Sequence, residues 1–444
     1  MNIARISCLS LLALLAQASA GAVERDAKAR PLFRDFMGLN VHTVQFKVDL
    51  YRPITRLLRD YHPFDWDVGN ETDYAPRFPM ARNGVDWQAL YGSWKDAGYS
   101  IDVCWMFDGV KPDAWKDMAR DAEAYGEAVG RFFGPSGKHP FIEAVEIGNE
   151  PGKYDDAAYR TLFESAARGM RRGDPKLLIS TCAVFAMPSG AYHKDIATVR
   201  GLESLYDVIN VHSYPELEGY PTWRRSFPED SRLEFLKRIR DVIDWRDAHA
   251  PDKQVWLTEF GWDATTKPQA TEGDFKQWVG VTDVQQAQYL VRAFLTLTEL
   301  DLDRAYIFFF NDDDQAQVHA SSGLTRHFRP KPAFYAVAHL FSVLGDYRFE
   351  RVVSKKEGEL VVDEFRHGND ESRLIWVAWS PTGDGKQAVV RLPLPRGKIE
   401  RAERMPFKEG ASEAVSWKVL DNDDGKDEVE MEIGESPVYL HIRQ

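Results

Sequence analysis

The chain has 444 residues, of which 28% are charged and 44% hydrophobic, and its 69 acidic against 56 basic side chains give a formal charge of −13. That balance repels phosphate backbones and anionic lipid, so nucleic acid and membrane surfaces are disfavoured as partners. The length admits one large domain with a smaller companion, and no Cys/His cluster has zinc-ligand spacing.

The first 20 residues read as a secretory leader. Arg5 supplies a positive start, Ile6 to Ala16 a short apolar core, and Ala18-Ser19-Ala20 an A-x-A cleavage site. The apolar run is too short for a comfortable membrane span. Export to the periplasm or beyond is expected, with a mature chain starting near Gly21; losing Arg5 takes the formal charge from −13 to −14.

Residues 21–345 alternate short apolar runs with longer amphipathic stretches. The expected strands are Phe36–His42, Arg59–Trp66 (the weakest), Ser100–Met106, Ile142–Asn149, Leu177–Ala183, Asp207–Ser213, Gln254–Phe260 and Ala305–Asn311. Their near-continuous hydrophobicity suits parallel strands covered on both faces. Helices are expected at Asp113–Phe133, Asp155–Arg172, along the Leu236, Ile239, Ile243 stripe, along the Ala287, Leu290, Val291, Phe294, Leu297 stripe, and at Ala333–Leu344. Thr282 with Gln285 forms a capping-box signature ahead of the fourth of these. Eight strand-then-helix units predict an α/β chain folded as a (β/α)8 TIM barrel. The other option, a doubly wound open sheet, lacks a Gly-rich phosphate loop after the first strand. Cys104 and Cys182 fall inside apolar strands and are expected as buried free thiols.

Residues 346–444 change to period-2 patterning: Leu360–Arg366, Arg373–Trp379, Ala388–Leu394, Ser416–Val419, Glu428–Ile433 and Val438–Ile442, separated by turn signals. This predicts a C-terminal antiparallel β-sandwich domain.

Two glutamates close apolar runs: Glu150 in Ile147-Gly148-Asn149-Glu150-Pro151, and Glu259 in Val255-Trp256-Leu257-Thr258-Glu259-Phe260-Gly261-Trp262. Chemistry on a barrel sits at strand C-terminal ends. One strand-end carboxylate alone is commonly an ion-pair partner. Two facing one cleft supply what acetal hydrolysis needs, a proton donor on one side of the sugar and a carboxylate on the other. Glu150 is the candidate acid/base, with burial and neighbouring negative charge expected to raise its pKa, and Glu259 the candidate nucleophile.

Gly148-Asn149-Glu150-Pro151 resembles the strand-4 Asn-Glu-Pro motif of the clan A retaining glycoside hydrolases, and Thr258-Glu259-Phe260-Gly261-Trp262 resembles their strand-7 nucleophile motif. The 109 residues between the two glutamates leave room for strands 5 and 6. Within the clan the family 39 glycosidases, β-xylosidase-like enzymes and bacterial endoglycosidases acting on exopolysaccharide, are the most similar in appearance. The resemblance implies an oligo- or polysaccharide substrate and no cofactor or metal. It implies that Asn149 bonds the sugar 2-hydroxyl and that His212 and Tyr214 border the nucleophile, Tyr214 holding Glu259 ionised.

Trp105 and Trp262 are candidate sugar-stacking residues, with Tyr220, Trp223, Phe227, Tyr74 and Phe78 as further loop aromatics; core packing is the alternative for each. Strand 8 departs from the clan pattern, offering Phe308–Phe310 where a Trp is usual, followed by Asp312, Asp313 and Asp314, expected as a solvated loop. Three other functions share these features: a non-catalytic carbohydrate-binding barrel, a polysaccharide-assembly protein, and a transglycosylase using the same site.

Overall fold

A computed structural model describes residues 30–43, 47–410, 412–421 and 427–444. The expected leader and Cys8 lie outside the described residues.

Eight strands form the barrel: β1 (Met37–Val41), β2 (Leu57–Pro63), β3 (Ser100–Met106), β4 (Ala144–Ile147), β5 (Leu178–Phe185), β6 (Val208–His212), β7 (Gln254–Phe260) and β8 (Arg304–Ile307). Each runs parallel to its neighbours, and β8 pairs with β1 to close the ring. Every residue of β1 and β4 is buried, as expected for strands covered by side chains within and helices without. Cys104 and Cys182 are buried free thiols on β3 and β5. No helix among the described residues is long and apolar enough to cross a membrane.

The differences from the expected boundaries have local causes. β2 starts at Leu57 and stops at Pro63, after which Phe64–Val68 turns helical. β8 is shorter than expected: the chain leaves the barrel after Ile307, and Asn311–Asp312 pair instead with Thr325–Arg326 in a small separate sheet. The helix expected from Asp113 begins at Met118, because Pro112–Ala114 forms a 3-10 turn and the Asp117 side chain caps the Arg120 amide. Between β5 and β6 a four-residue 3-10 turn, Ile196–Val199, stands where a helix would complete the repeat.

Helices Met118–Phe133 and Asp156–Gly173 flank β4 and cross backbone to backbone. A Cβ on Gly126 would lie 2.4 Å from the Ala166 carbonyl oxygen, and one on Gly169 only 2.0 Å from that of Glu123, so both positions exclude a larger residue. Helix Asp283–Thr298 carries the expected capping box, both bonds made between Thr282 and Gln285.

The C-terminal sandwich comprises a six-stranded and a three-stranded antiparallel sheet. Strand Arg373–Trp379 shows why it also grips the barrel. Leu374, Trp376 and Ala378 face the smaller sheet, while Ile375, Val377 and Trp379 join the barrel's core. Glu229, from the loop after β6, seals the joint. It accepts from Trp379 Nε1 at 2.6 Å and from Arg292 Nε at 3.0 Å, and Arg292 also donates to the Thr382 carbonyl at 2.7 Å.

Candidate active site

Gly148 follows β4 with φ +90°, a conformation other residues rarely adopt, and a Cβ there would lie 2.8 Å from the Phe107 ring. The turn aims Asn149 and Glu150 into an open cavity of about 480 Å³ at the barrel mouth. Glu259, near the end of β7, enters the same cavity. The two glutamates and His212 each bring a ligand atom within 4.8 Å of the others.

The two carboxylates sit in different surroundings. The Glu259 side chain is 7% exposed, whereas that of Glu150 is 26% exposed. Glu259 Oε1 accepts from Arg59 Nη1 at 2.9 Å and Tyr61 OH at 2.7 Å, and its Oε2 accepts from Tyr214 OH at 2.8 Å. Burial works to raise the pKa of Glu259, but the His212 and Arg59 charges and the two phenol hydrogen bonds outweigh it and hold the carboxyl at about 2. Burial and the Glu259 charge push both phenols well above their ordinary value, so they stay donors.

Arg59 is the hub beneath the glutamates. Its Nε and Nη2 clamp Glu146 at 2.8 and 2.9 Å, Nη1 also reaches Asn40 Oδ1 at 2.7 Å, and Nη2 reaches Asn149 Oδ1 at 2.9 Å. Asn40 in turn donates to the Thr258 and Ile307 carbonyls, tying β1 to β7 and β8. The fork geometry of a guanidinium suits this four-way role, and a lysine could not reproduce it.

His212 bridges the pair from β6. Its Nε2 is 3.0 Å from Thr258 Oγ1, which in turn lies 2.5 Å from Asn210 Oδ1. Its Nδ1 lies 3.0 Å from Glu150 Oε1, within hydrogen-bond reach. Burial would lower the His212 pKa, yet the Glu259 and Glu150 charges raise it. Asp108 borders the site, its carboxyl pushed up to about 6 by burial and held partly down by the Asn149 amide. Although Glu150, His212 and Glu259 could reach one cation, the fixed positive charge of Arg59 on the same carboxylate opposes one.

Of the expected site residues, the structure brings Glu150, Glu259 and Asn149 to the cavity wall, with His212 and Tyr214 bonded to the glutamates behind it. It does not bring Trp105 or Trp262. On β3 the inward positions are Asp102, Cys104 and Met106; Trp105 therefore points outward and stacks on Tyr125 at 5.0 Å. Trp262 lies past the end of β7 and turns back into the core, its Nε1 donating to the Ser226 carbonyl at 2.7 Å and its ring edge-on to Phe235. Both rings are at most 1% exposed. Phe78 and Phe227 likewise pack on the core.

The aromatic rings at the cavity are instead Trp66, Tyr61, Phe308, His42 and His319. Nor is the triple aspartate a solvated loop: Asp312 is buried against Lys331 Nζ at 3.2 Å, and Asp314 is buried holding Thr265, Thr266 and Arg326, while Asp313 alone is exposed.

Arg59, Tyr61 and Asn40 were not among the candidates. Their signal was present: Arg59 and Tyr61 alternate on β2 with one residue between, and a polar Asn40 interrupts an apolar strand. The weakness of β2 as an apolar run, which hid it, is the mark of its inward polar face.

No protein-family model matches the chain, and no curated protein does. Solved structures do. A family 39 glycoside hydrolase from Bacteroides cellulosilyticus aligns over 94% of this chain and 82% of its own, with TM-score 0.67 at 18% identity. A glucosidase from Croceicoccus marinus covers 94% and 98%, with TM-score 0.62 at 13% identity. A family 51 α-L-arabinofuranosidase from Bifidobacterium longum covers 93% and 96%, with TM-score 0.57 at 14% identity. At such identities the likeness is one of fold, a TIM barrel with an appended β-sandwich.

Proposed function

We propose that this chain is a retaining glycoside hydrolase in which Glu259 is the nucleophile and Glu150 the acid/base. The observation that carries the reading is the gap between the carboxylates, whose nearest oxygens lie within 4.8 Å. Retaining enzymes separate their carboxyl groups by about 5–5.5 Å, whereas inverting ones need about 6.5–9.5 Å to admit a water. The likeness in fold to solved glycosidases agrees with it.

In the first step a Glu259 oxygen attacks the anomeric carbon as the bond to the leaving oxygen breaks. Glu150 gives that oxygen its proton. In the second step water attacks the anomeric carbon, loses a proton to Glu150, and releases Glu259. The environments fit these roles. Glu259 is buried, ionised and pinned by three donors, which fixes its line of attack. Glu150 is partly open to solvent, where a leaving group and then a water must reach it, and is held 3.0 Å from His212 Nδ1. Asn149, which accepts from Arg59, would bond the sugar 2-hydroxyl. We also infer export, from the leader-like residues 1–20.

The experiment is turnover of aryl glycosides and polysaccharides by the intact protein and by Glu150→Gln and Glu259→Gln. The expected outcome is loss of at least a thousandfold in kcat for Glu259→Gln on any substrate. For Glu150→Gln the loss should be large on poor leaving groups and smaller on activated aryl ones. Unchanged turnover in either variant would reject the mechanism.

A further inference from the structure

Only three aromatic side chains among the described residues stand strongly exposed: Tyr192 at 67%, Tyr220 at 68% and Phe328 at 38%. All three lie on loops that follow barrel strands, after β5, β6 and β8, and so on the face that carries Glu150 and Glu259. None lies on the outer helices or the sandwich. Phe328 packs on Phe310 at 6.1 Å, but Tyr192 and Tyr220, held in water on the face that carries the two glutamates, point to a ligand rather than to packing.

Two of these loops are tied to the catalytic floor. The β5 loop rests on the segment that carries Glu150: a Cβ on Gly152 would lie 2.0 Å from the Ala191 carbonyl oxygen, and Ser189 Oγ donates to Asp156 at 2.6 Å. Tyr192 is the next residue after Ala191. The β6 loop is a hairpin closed by Leu217 N to Arg224 O at 2.8 Å and Trp223 N to Gly219 O at 2.9 Å, and braced by Val279 N to Thr222 O at 2.8 Å. Tyr220 and Trp223 sit at its tip with rings edge to face, centroids 6.2 Å apart. Trp223 is held at φ +48°, an uncommon conformation for a bulky residue. At the hairpin base Arg225 pairs with Asp263 at 2.9 Å and lies 4.3 Å over the ring of Tyr214, which itself donates to Glu259.

Across the barrel from β6, Trp66 follows β2 and lines the same cavity as the two glutamates. Ring platforms thus stand on both sides of the catalytic pair. Among the described residues, none that lines the cavity is lysine or arginine, and the Arg59 charge is committed to Glu146 and Glu259. A uronic acid bound there would face two carboxylates without a counter-ion.

Resting on the glycosidase reading above, we propose that Tyr192, Tyr220 and Trp223 extend the cavity into a groove that stacks on successive rings of an uncharged polysaccharide, so that the chain is cut internally. Tyr192 flanks the acid/base segment, which assigns this groove to the leaving-group side. Flat aromatic faces are the usual means of holding the apolar face of a sugar ring.

The test uses the full chain with a panel of neutral polysaccharides (xylan, mixed-linkage glucan, galactomannan) and matching aryl monoglycosides. Tyr192→Ala, Tyr220→Ala and their double variant are compared with wild type, because both side chains are exposed and their removal spares the core; Trp223→Ala is a fourth variant. The expected result is a drop in kcat/KM on the polymer at least tenfold greater than on the aryl monoglycoside, with oligosaccharides of mixed length as the first wild-type products. Equal losses on both substrates, or a monosaccharide as the sole early product, would overturn the proposal. Retarded migration through gels containing each polysaccharide reads the groove without turnover. If wild type hydrolyses nothing, the glycosidase reading fails, and retardation of wild type that the double variant loses still supports the groove. Wild type that migrates unretarded, or a variant retarded equally, overturns it.

Discussion

Arg59 Nη1 lies 2.9 Å from Glu259 Oε1, while the same guanidinium clamps Glu146 through two bonds, and the Arg59 side chain is fully buried. One guanidinium thus pairs with two buried carboxylates inside the barrel, Glu146 and Glu259. Removing it strands both. Arg59→Ala is expected to cost about 3–5 kcal/mol of stability, the usual penalty for breaking a buried ion pair, and Arg59→Lys to recover only part of it. Chemical denaturation of the two variants beside wild type checks this; a loss under 1 kcal/mol in Arg59→Ala would show that the pair matters little.

Tyr61 and Tyr214 donate to opposite oxygens of Glu259. A hydrogen bond to a charged group contributes about 1.5–3 kcal/mol, so Tyr61→Phe and Tyr214→Phe should each lower kcat/KM by about ten- to a hundredfold. The sign of the pH effect also follows. These bonds help hold Glu259 at about 2, and in the proposed role of nucleophile it must be ionised to attack. Loss of either donor raises its pKa, so the acid limb of the kcat/KM profile should move to higher pH in both variants. An unmoved limb would mean the phenols only fill space.

Asp102 points into the barrel below Glu146; its carboxyl makes no hydrogen bond among the described residues and is pushed up to about 7 by burial and the nearby Glu146 charge. Its folded pKa exceeds its ordinary value of 3.8, so the native state holds the proton more tightly. The stability this confers is complete below about pH 4 and is lost as pH rises to about 7. Asp102→Asn keeps the shape without the titration. Its Tm relative to wild type should therefore climb between pH 4 and pH 8, and a constant difference across that range would contradict the placement.

Trp105 and Trp262 belong to the core, not to the cavity. Trp105→Ala and Trp262→Ala are expected to lose about 3–5 kcal/mol of stability by cavity formation. Trp66→Ala, at the cavity wall, should instead raise KM with a small stability change. Melting curves and KM values for the three variants separate the classes, and an order-of-magnitude KM effect in a well-folded Trp105 variant would reverse the assignment.

The barrel was legible because a parallel strand buried on both faces must read as an apolar run, and seven such runs stood out in the sequence. Glu150, Glu259 and Asn149 were legible for the related reason that polar residues closing those runs can only sit at strand tips. What did not show was side-chain direction. Trp105 occupies a strand next to the site, but the two-residue period turns it away, and a one-residue error in assigning faces exchanges core for cavity. Arg59 stayed hidden because its strand carries four polar residues in a row, Arg59–His62, and so does not read as an apolar run. Asp312 and Asp314 read as solvent-facing since their partners, Lys331, Thr265, Thr266 and Arg326, come from distant or later segments that local sequence does not reveal.

The central claim is that Glu259 forms a covalent bond to the sugar. Incubation with an activated 2-deoxy-2-fluoro glycoside of the best substrate, followed by intact-mass measurement and peptide mapping, tests it directly. The expected result is one fluoroglycosyl group per chain, on the peptide containing Glu259, with activity returning as the adduct turns over. A label on any other residue, or inactivation without a covalent adduct, would contradict it.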